Sequence, residues 1–213
     1  MERARFDNKA VLVTGGASGI GEAAAKAFAQ EGASVILVDR REQKSQRAVD
    51  LIRSAGGDAC YVQADLSTAE GVRHVVSEML GLVGKIDVIF VNAGVLAVGE
   101  TTNFTIEEYD RIFDTNVRAL FILLREALPE LCKAKGAVVA TSSVSGLRGI
   151  VGNGLYSASK HAVEAIVKTA ALENAQYGIR MSTICPGVVE TAMFDKFAPP
   201  NSEARRDIVQ NIH

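Results

Sequence analysis

Cysteine, histidine and proline are all scarce in this 213-residue chain, at three, three and four residues, and each scarcity argues against a class of protein. Cys60, Cys132 and Cys185 lie far apart, are odd in number and form no CxxC pair. Neither a disulfide framework nor a zinc site is indicated. His74, His161 and His213 share no ligand spacing, so no metal site is expected. The N-terminus, MERARFDNKA, lacks the long apolar core of a signal peptide. The longest purely apolar runs, such as Ala119–Leu124, fall far short of the roughly 20 residues that a membrane span needs. Neither sign of charge dominates: 23 Lys and Arg stand against 25 Asp and Glu, interspersed along the chain, for a net charge of −2. That leaves no basic face for nucleic acid and no polybasic membrane patch. The expectation is a reducing, cytoplasmic setting, a small-molecule partner, no nucleic acid and no membrane.

What the chain does have is apolar substance, 48% of its residues, enough to bury a substantial core in one domain spanning 1–213. Short runs rich in Val and Ile alternate with longer stretches of helical periodicity. Candidate strands are Ala10–Thr14, Ser34–Val38, Ala59–Gln63, Val88–Asn92, Ala137–Ser142 and Met181–Cys185. Both faces of these runs are apolar, the pattern of a parallel sheet covered on each side. Candidate helices fall near 19–31, 42–55, 69–83, 106–134 and 155–177, and Thr105-x-x-Glu108 is a capping box for the fourth. Gly32, Gly56, Gly84, Gly136 and Gly178 sit where each helix should end. Strands separated by helices predict an α/β fold: a Rossmann-like, doubly wound parallel β-sheet with helices on both faces. No linker, repeat or low-complexity segment interrupts the pattern.

The first strand runs into Thr14-Gly15-Gly16-Ala17-Ser18-Gly19-Ile20-Gly21, and a helix follows. Glycines there let the backbone turn sharply and let a pyrophosphate approach, while the helix start offers free N–H groups and partial positive charge. A glycine cluster alone is weak; one between a strand and a helix is specific. Asp39 ends the second strand, 18 residues beyond Gly21. An acid at about that separation accepts hydrogen bonds from the adenosine ribose of NAD(H) and repels the extra phosphate of NADP(H). The plainer reading, that Asp39 starts a turn or caps the helix at Glu42, stays open. Arg40 and Arg41 pull the other way, since a basic residue beside the ribose favours NADP(H). Asp65 either sits near the adenine or caps the next helix.

Tyr156 and Lys160, within Tyr156-Ser157-Ala158-Ser159-Lys160, are four apart and share a helical face. A tyrosine with an ordinary pKa of about 10 hardly ionises at neutral pH. A neighbouring ammonium, joined by the positive nicotinamide of an oxidised cofactor, would favour the phenolate and make it a general acid/base. Such a pair is more often mere helix packing, and its meaning depends on the rest of the chain.

The rest of the chain resembles the single-domain short-chain dehydrogenase/reductase family. The TGxxxGxG turn matches Thr14 to Gly21, YxxxK matches Tyr156 and Lys160, and Ser143 stands thirteen residues before the tyrosine. The NNAG segment appears as Val91-Asn92-Ala93-Gly94, the mid-helix asparagine is Asn116, and the proline-glycine segment is Pro186 to Thr191. The resemblance implies a catalytic set of Asn116, Ser143, Tyr156 and Lys160 for alcohol–ketone interconversion. Ser143 would hydrogen-bond the substrate oxygen, Tyr156 would exchange its proton, and Lys160 would bind the nicotinamide ribose. Asn116 would hold a water that links Lys160 to solvent. It also implies a cofactor site of Gly15, Ser18, Gly19, Ile20, Gly21, Asp39, Asp65, Leu66, Asn92, Ala93, Gly94, Tyr156, Lys160, Val189 and Thr191. NAD(H) is favoured, with NADP(H) possible. A homo-oligomer, tetramer or dimer, is implied as well, through helices 106–134 and 155–177.

Two departures stand out. Val91 replaces the first Asn of NNAG, which should affect sheet anchoring more than chemistry. Family members usually continue through a further helix and a seventh strand, so residues beyond His213 are expected. Among rival readings, Ser157-x-x-Lys160 spells the SxxK of serine acyl-transferring enzymes, but no SDN or KTG accompanies it. Ser143 lies in no GxSxG elbow. A cofactor-binding sensor or structural subunit without turnover would have no need of Ser143 beside Tyr156. The substrate pocket is expected from Val95, Leu96, Val144, Leu147, Val151, Asn153, Val188 and Met193–Phe197, a mostly apolar set. Arg148 could meet an anionic substrate or simply be exposed.

Overall fold

The computed structural model describes residues 4–210, so His213 lies outside the described residues, as do the side chains of Lys196 and Phe197. Six parallel strands form the sheet: β1 (Ala10–Thr14), β2 (Ser34–Asp39), β3 (Asp58–Gln63), β4 (Val88–Val91), β5 (Ala137–Thr141) and β6 (Arg180–Ile184). Their order is β3-β2-β1-β4-β5-β6, as predicted for a doubly wound sheet. Helices α1 (Gly19–Gln30), α2 (Glu42–Ser54), α3 (Ala69–Val83), α4 (Ile106–Phe113), α5 (Ala119–Ala134) and α6 (Gly154–Asn174) supply the crossovers. Two short helices, α7 (Ala192–Phe197) and α8 (Glu203–Gln210), follow β6.

Strand alternation divides the core. Val11, Val13, Val35 and Leu37 face α1 and α2, packing on Ala25, Ala29, Val49 and Ile52. Leu12, Ile36, Ile89 and Val138 point the other way, onto Val75, Met79, Leu123, Leu131 and Val167 of α3, α5 and α6. Every residue of β1 is buried; burying a Val, Leu or Ile side chain contributes about 1.5–3 kcal/mol. Because β1 and β4 are neighbours from which the chain winds in opposite directions, a crevice opens at their C-terminal ends, where such sheets bind ligands.

The expected helix over 106–134 is interrupted. Its capping box is formed, with Glu108 N donating to Thr105 Oγ1 at 3.2 Å and Thr105 N to Glu108 Oε2 at 3.1 Å. However, Asp114–Arg118 forms a π-helical stretch between α4 and α5. The wider turn carries Asn116 into the interior, the kind of functional placement that π-bulges often serve. A second correction concerns Gly136. The left-handed residue that ends α5 is Lys135, at φ 49°, and not the glycine after it. Gly136 is needed for a different reason: a Cβ there would stand 2.5 Å from the Asp87 carbonyl oxygen, where β5 meets β4.

A buried carboxylate fastens α6 to the sheet. Glu164 accepts from Cys185 Sγ at 3.2 Å and pairs with Lys168 at 3.1 Å. Burial alone would raise its pKa, but hydrogen bonds from Thr183, Cys185, Lys168 and Ser142 outweigh that and draw it down to about 2. A folded pKa below the ordinary 4.5 means that the ionised group stabilises the fold above pH 4.5 and that this is lost as pH falls towards 2. Glu164→Gln should therefore lower the urea midpoint at neutral pH and flatten its decline between those limits. Gly136→Ala should cost about 1–3 kcal/mol in urea unfolding through overpacking. Lys135→Gly should gain up to about 1 kcal/mol by relieving the left-handed backbone.

Candidate active site

The chemistry-bearing residues arrive at one edge because every parallel strand ends there. Thr14 closes β1, Asp39 closes β2, Asn92 follows β4, and Ser143 lies two residues beyond β5. The Thr14 hydroxyl accepts from the backbone N–H of Asn92 at 2.9 Å and of Ala93 at 3.0 Å, which pins the segment after β4 to the glycine turn. Thr141 Oγ1 donates to Asn92 Oδ1 at 3.2 Å, tying in β5. Val91 pairs with Ala140 in the sheet, so anchoring at this point falls to Thr14 and Asn92.

The glycine turn is tight. Gly15 holds φ 64°, and a Cβ on Gly21 would lie 2.2 Å from the Gly15 carbonyl oxygen. Ser18, the N-cap of α1, makes no side-chain capping bond, so the first amides of the helix keep their donors for an anion. Thr191 leans over this turn, with its Cγ2 at 3.0 Å from where a Gly19 Cβ would be. On the other side, Gly94 leaves a gap bordered by Asn116 Oδ1 and Lys160 Nζ, at 3.3 and 3.6 Å from its absent Cβ. A cradle for phosphates at one end and a side-chain-free gap beside a buried cation at the other fit a dinucleotide.

Ser143 and Tyr156 come together as expected. Ser143 accepts from Ser145 N at 3.1 Å, which orients its hydroxyl, and it interacts with the Tyr156 phenol. Lys160 is buried; its Nζ donates to the Thr141 carbonyl at 2.7 Å and stands 5.7 Å from the centre of the Tyr156 ring. Burial dominates the electrostatics of both groups. Burial pushes the Tyr156 pKa up from its ordinary value, and only the Ser143 hydrogen bond works against that. Burial also pushes Lys160 down to about 8, partly offset by Cys185. Loss of water disfavours the charged form of each. Among the neighbours of the phenol, Ser143 is the one whose hydrogen bond favours the phenolate.

Asn116 has a bracing part as well. Its Nδ2 donates to Val95 O and to Ser159 Oγ, each at 3.0 Å, and its Oδ1 accepts from Val95 N at 2.8 Å. With both amide protons committed, the side chain braces the loop after β4 against α6, and one Oδ1 lone pair remains for a water. Ser159, whose Oγ also donates to Tyr156 O at 2.8 Å, completes this brace. It lies inside the YxxxK segment, yet its bracing depends on a residue 43 positions away. The Thr141 carbonyl that holds Lys160 left no trace in the sequence, being backbone.

The remaining predicted residues divide. Asp65 Oδ1 accepts from Ser67 N and Oγ, forming a turn, while Thr68 caps α3. Leu66 is buried among the core residues beside it. The Thr191 hydroxyl donates to Val189 O at 3.4 Å and accepts from Phe194 N at 3.4 Å, capping α7. Asp39 is buried, and its carboxylate is held by Arg41 rather than Arg40. Of the residues expected to line the pocket, Leu147, Val151, Val188 and Met193 are exposed, as is Arg148.

Comparison with known proteins agrees with this geometry. The family model described as short chain dehydrogenase matches residues 9–202. Meso-2,3-butanediol dehydrogenase of Serratia marcescens is 38% identical over 191 residues, covering 89% of this chain and 74% of that protein. Cyclopentanol dehydrogenase of a Comamonas species is 37% identical over 202 residues, 94% of this chain and 81% of the other. The crystal structure of levodione reductase superposes with a TM-score of 0.92 at 33% identity, covering 97% of this chain and 84% of that one. A glycine-turn cradle, a Ser143–Tyr156 contact beside buried Lys160, and matches along nearly the whole chain lead to one conclusion: this chain belongs to the short-chain dehydrogenase family.

Proposed function

We propose that this site interconverts a secondary alcohol and a ketone, with Tyr156 as the general acid/base. The observation that carries the reading is the convergence of Ser143, Tyr156 and Lys160 beside the Gly94 gap, at the same sheet edge as the glycine cradle. Short-chain dehydrogenases use a nicotinamide dinucleotide, which when bound supplies or accepts the hydride. The residues of this chain do the rest. Gly15 to Gly21 receive the pyrophosphate on free helix amides, and Asp39 faces the adenosine ribose. Asn92, Ala93 and Gly94 line the middle of the groove, while Val189 and Thr191 close over it. Ser143 orients the substrate oxygen towards Tyr156, and the tyrosine exchanges a proton with that oxygen. Buried Lys160, held by Thr141, provides positive charge and donors near the second ribose. The raised Tyr156 pKa keeps the phenol protonated through neutral pH, the form that a ketone needs for reduction.

NAD(H) is the preferred cofactor on this reading, supported by a buried carboxylate at the end of β2. The substrate is small and mostly apolar, in keeping with the exposed apolar side chains of Leu147, Val151, Val188 and Met193 and with relatives named for butanediol, cyclopentanol and cyclohexanol. The chain acts as one domain in a cytoplasmic homo-oligomer, a tetramer or dimer, supported by large apolar side chains exposed on α5 and α6, Phe121 at 55% and Leu172 at 82%. No helix among the described residues is long and apolar enough to cross a membrane.

The test of the chemistry is a panel of cyclic and acyclic ketones with both reduced cofactors. Tyr156→Phe should leave NADH binding nearly unchanged while turnover falls by roughly 10²–10⁴-fold, the usual cost of losing an acid/base. Near-normal turnover in that variant would overturn the assignment. A doubly substituted Phe121→Glu, Leu172→Glu chain should elute as a smaller species in size-exclusion chromatography; an unchanged elution volume would remove α5 and α6 from the interface.

A further inference from the structure

Glu164 is a buried acid with no part in the chemistry described above. It follows Lys160 by four residues, so the two share a face of α6. Its Oε1 accepts from Cys185 Sγ at 3.2 Å, and its Oε2 pairs with Lys168 Nζ at 3.1 Å. Thr183 and Ser142 donate to the same carboxylate. A carboxylate offers about four acceptor positions, and these four side chains supply a donor for each. They come from α6, from β6 and the residue just beyond it, and from the end of β5. An apolar side chain would hold α6 against the sheet without the desolvation cost of a buried charge. What it would not do is fix the hydroxyl of Ser142.

Ser142 is the donor that reaches the site. Thr141 before it supplies the carbonyl that holds Lys160 Nζ at 2.7 Å, and Ser143 after it meets the Tyr156 phenol. Ser142 is itself buried, with its N donating to Ile184 O at 2.8 Å and its Oγ within reach of Lys160 O at 3.3 Å. A Cβ on Gly146 would clash with that same Oγ, so the turn Val144–Gly146 rests directly on the hydroxyl. This turn orients Ser143, whose Oγ accepts from Ser145 N at 3.1 Å. The Ser142 hydroxyl has one proton to donate, and a bond to an ionised acceptor is the stronger one. An ionised Glu164 therefore takes it and sets which way the hydroxyl points.

We propose that Glu164 is a positioning residue for the reaction, acting through Ser142 to set the spacing between Ser143 and the Tyr156–Lys160 pair. The proposal rests on the reading above, in which those three residues carry the chemistry. Ser143 hangs from the end of β5, whereas Tyr156 and Lys160 belong to α6. Lys160 Nζ on the Thr141 carbonyl is one link between the two elements, and Glu164 on the Ser142 hydroxyl is the second. Two links fix an orientation that one leaves free to rotate. A carboxamide at 164 would turn an N–H₂ towards one of the four donors and release Ser142. The substrate oxygen would then lie between two groups whose separation is no longer set. The glycine cradle and Asp39 belong to β1 and β2, across β4 from this network, so cofactor binding is spared.

The test is reduction by NADH of the ketone that the wild type turns over fastest, with active sites counted by NADH titration. The variants are Glu164→Gln, Ser142→Ala, the two combined, and Lys168→Met. In each of the first two, kcat should fall by about 10–100-fold with KM and NADH affinity nearly unchanged, the scale on which catalysis responds to a displacement of about 1 Å. The combined variant should be no slower than the slower single one, because both changes remove the same link. Lys168→Met takes away a partner on the solvent side, and should lower the urea midpoint while kcat stays nearly unchanged. Ser142→Ala carries the test if Glu164→Gln fails to fold. A kcat per site within about twofold of the wild type in the folded Glu164 and Ser142 variants, or losses that multiply in the combined one, would overturn the proposal. Tyr156→Phe separates the two ideas. If it keeps normal turnover, or if the wild type reduces no ketone of the panel, the reading of the site fails first. If Tyr156→Phe is inactive while Glu164→Gln and Ser142→Ala are not slowed, only the positioning role fails.

Discussion

Parallel pairing is the constraint on which the rest of this molecule depends. Adjacent parallel strands cannot be joined by a tight turn, so each pair requires a crossover, and here helices provide it. Those helices cover both faces of the sheet, which is why β1 is buried at every residue and why its neighbours are built from Val, Ile and Leu. Parallel direction also brings the carboxyl end of every strand to one edge. Asp39, Asn92 and Ser143 come from different strands and lie along that one edge without any specific attraction having to assemble them. The reversal of winding between β1 and β4 then opens the groove at the middle of that edge.

Within the groove, desolvation governs the electrostatics. Tyr156 and Lys160 are both withdrawn from water, and burial disfavours the charged form of each: the phenol moves up and the ammonium moves down to about 8. Hydrogen bonds at fixed positions compensate, from Ser143 to the phenol and from Lys160 to the Thr141 carbonyl. Asp39 and Glu164 show the opposite balance. Burial acts on them too, but donors from Arg41 in one case, and from Thr183, Cys185, Lys168 and Ser142 in the other, hold the carboxylates below their ordinary range. Whether a buried group is held charged or neutral depends on how many donors surround it.

The expected strands were legible to within a residue or so at each end, because two-sided burial writes a continuous apolar run into the sequence. The break at Asp114–Arg118 was not, since a π-helical turn has no composition of its own and the apolar period continues across it. Lys135 likewise took the left-handed position at the end of α5, while Gly136 serves the close approach of the Asp87 carbonyl. Asp65 and Thr191 spend their side chains on local turns and caps, which short-range sequence patterns express poorly.

The sequence by itself determined the order of strands and helices and the glycine turn, which depend on periodicity or on spacing along one strand–turn–helix unit, while the Ser143, Tyr156 and Lys160 set was expected only through the resemblance to a family. Tertiary structure alone decided what those residues do to one another. The pKa of Tyr156 follows from how much water its surroundings exclude, and the task of Asn116 from a hydroxyl 43 positions away. The standing of Asp39 depends on which of two adjacent arginines folds back onto it. Distances between side chains brought together by different crossovers have no counterpart in linear spacing, and electrostatic energies depend on those distances and on burial.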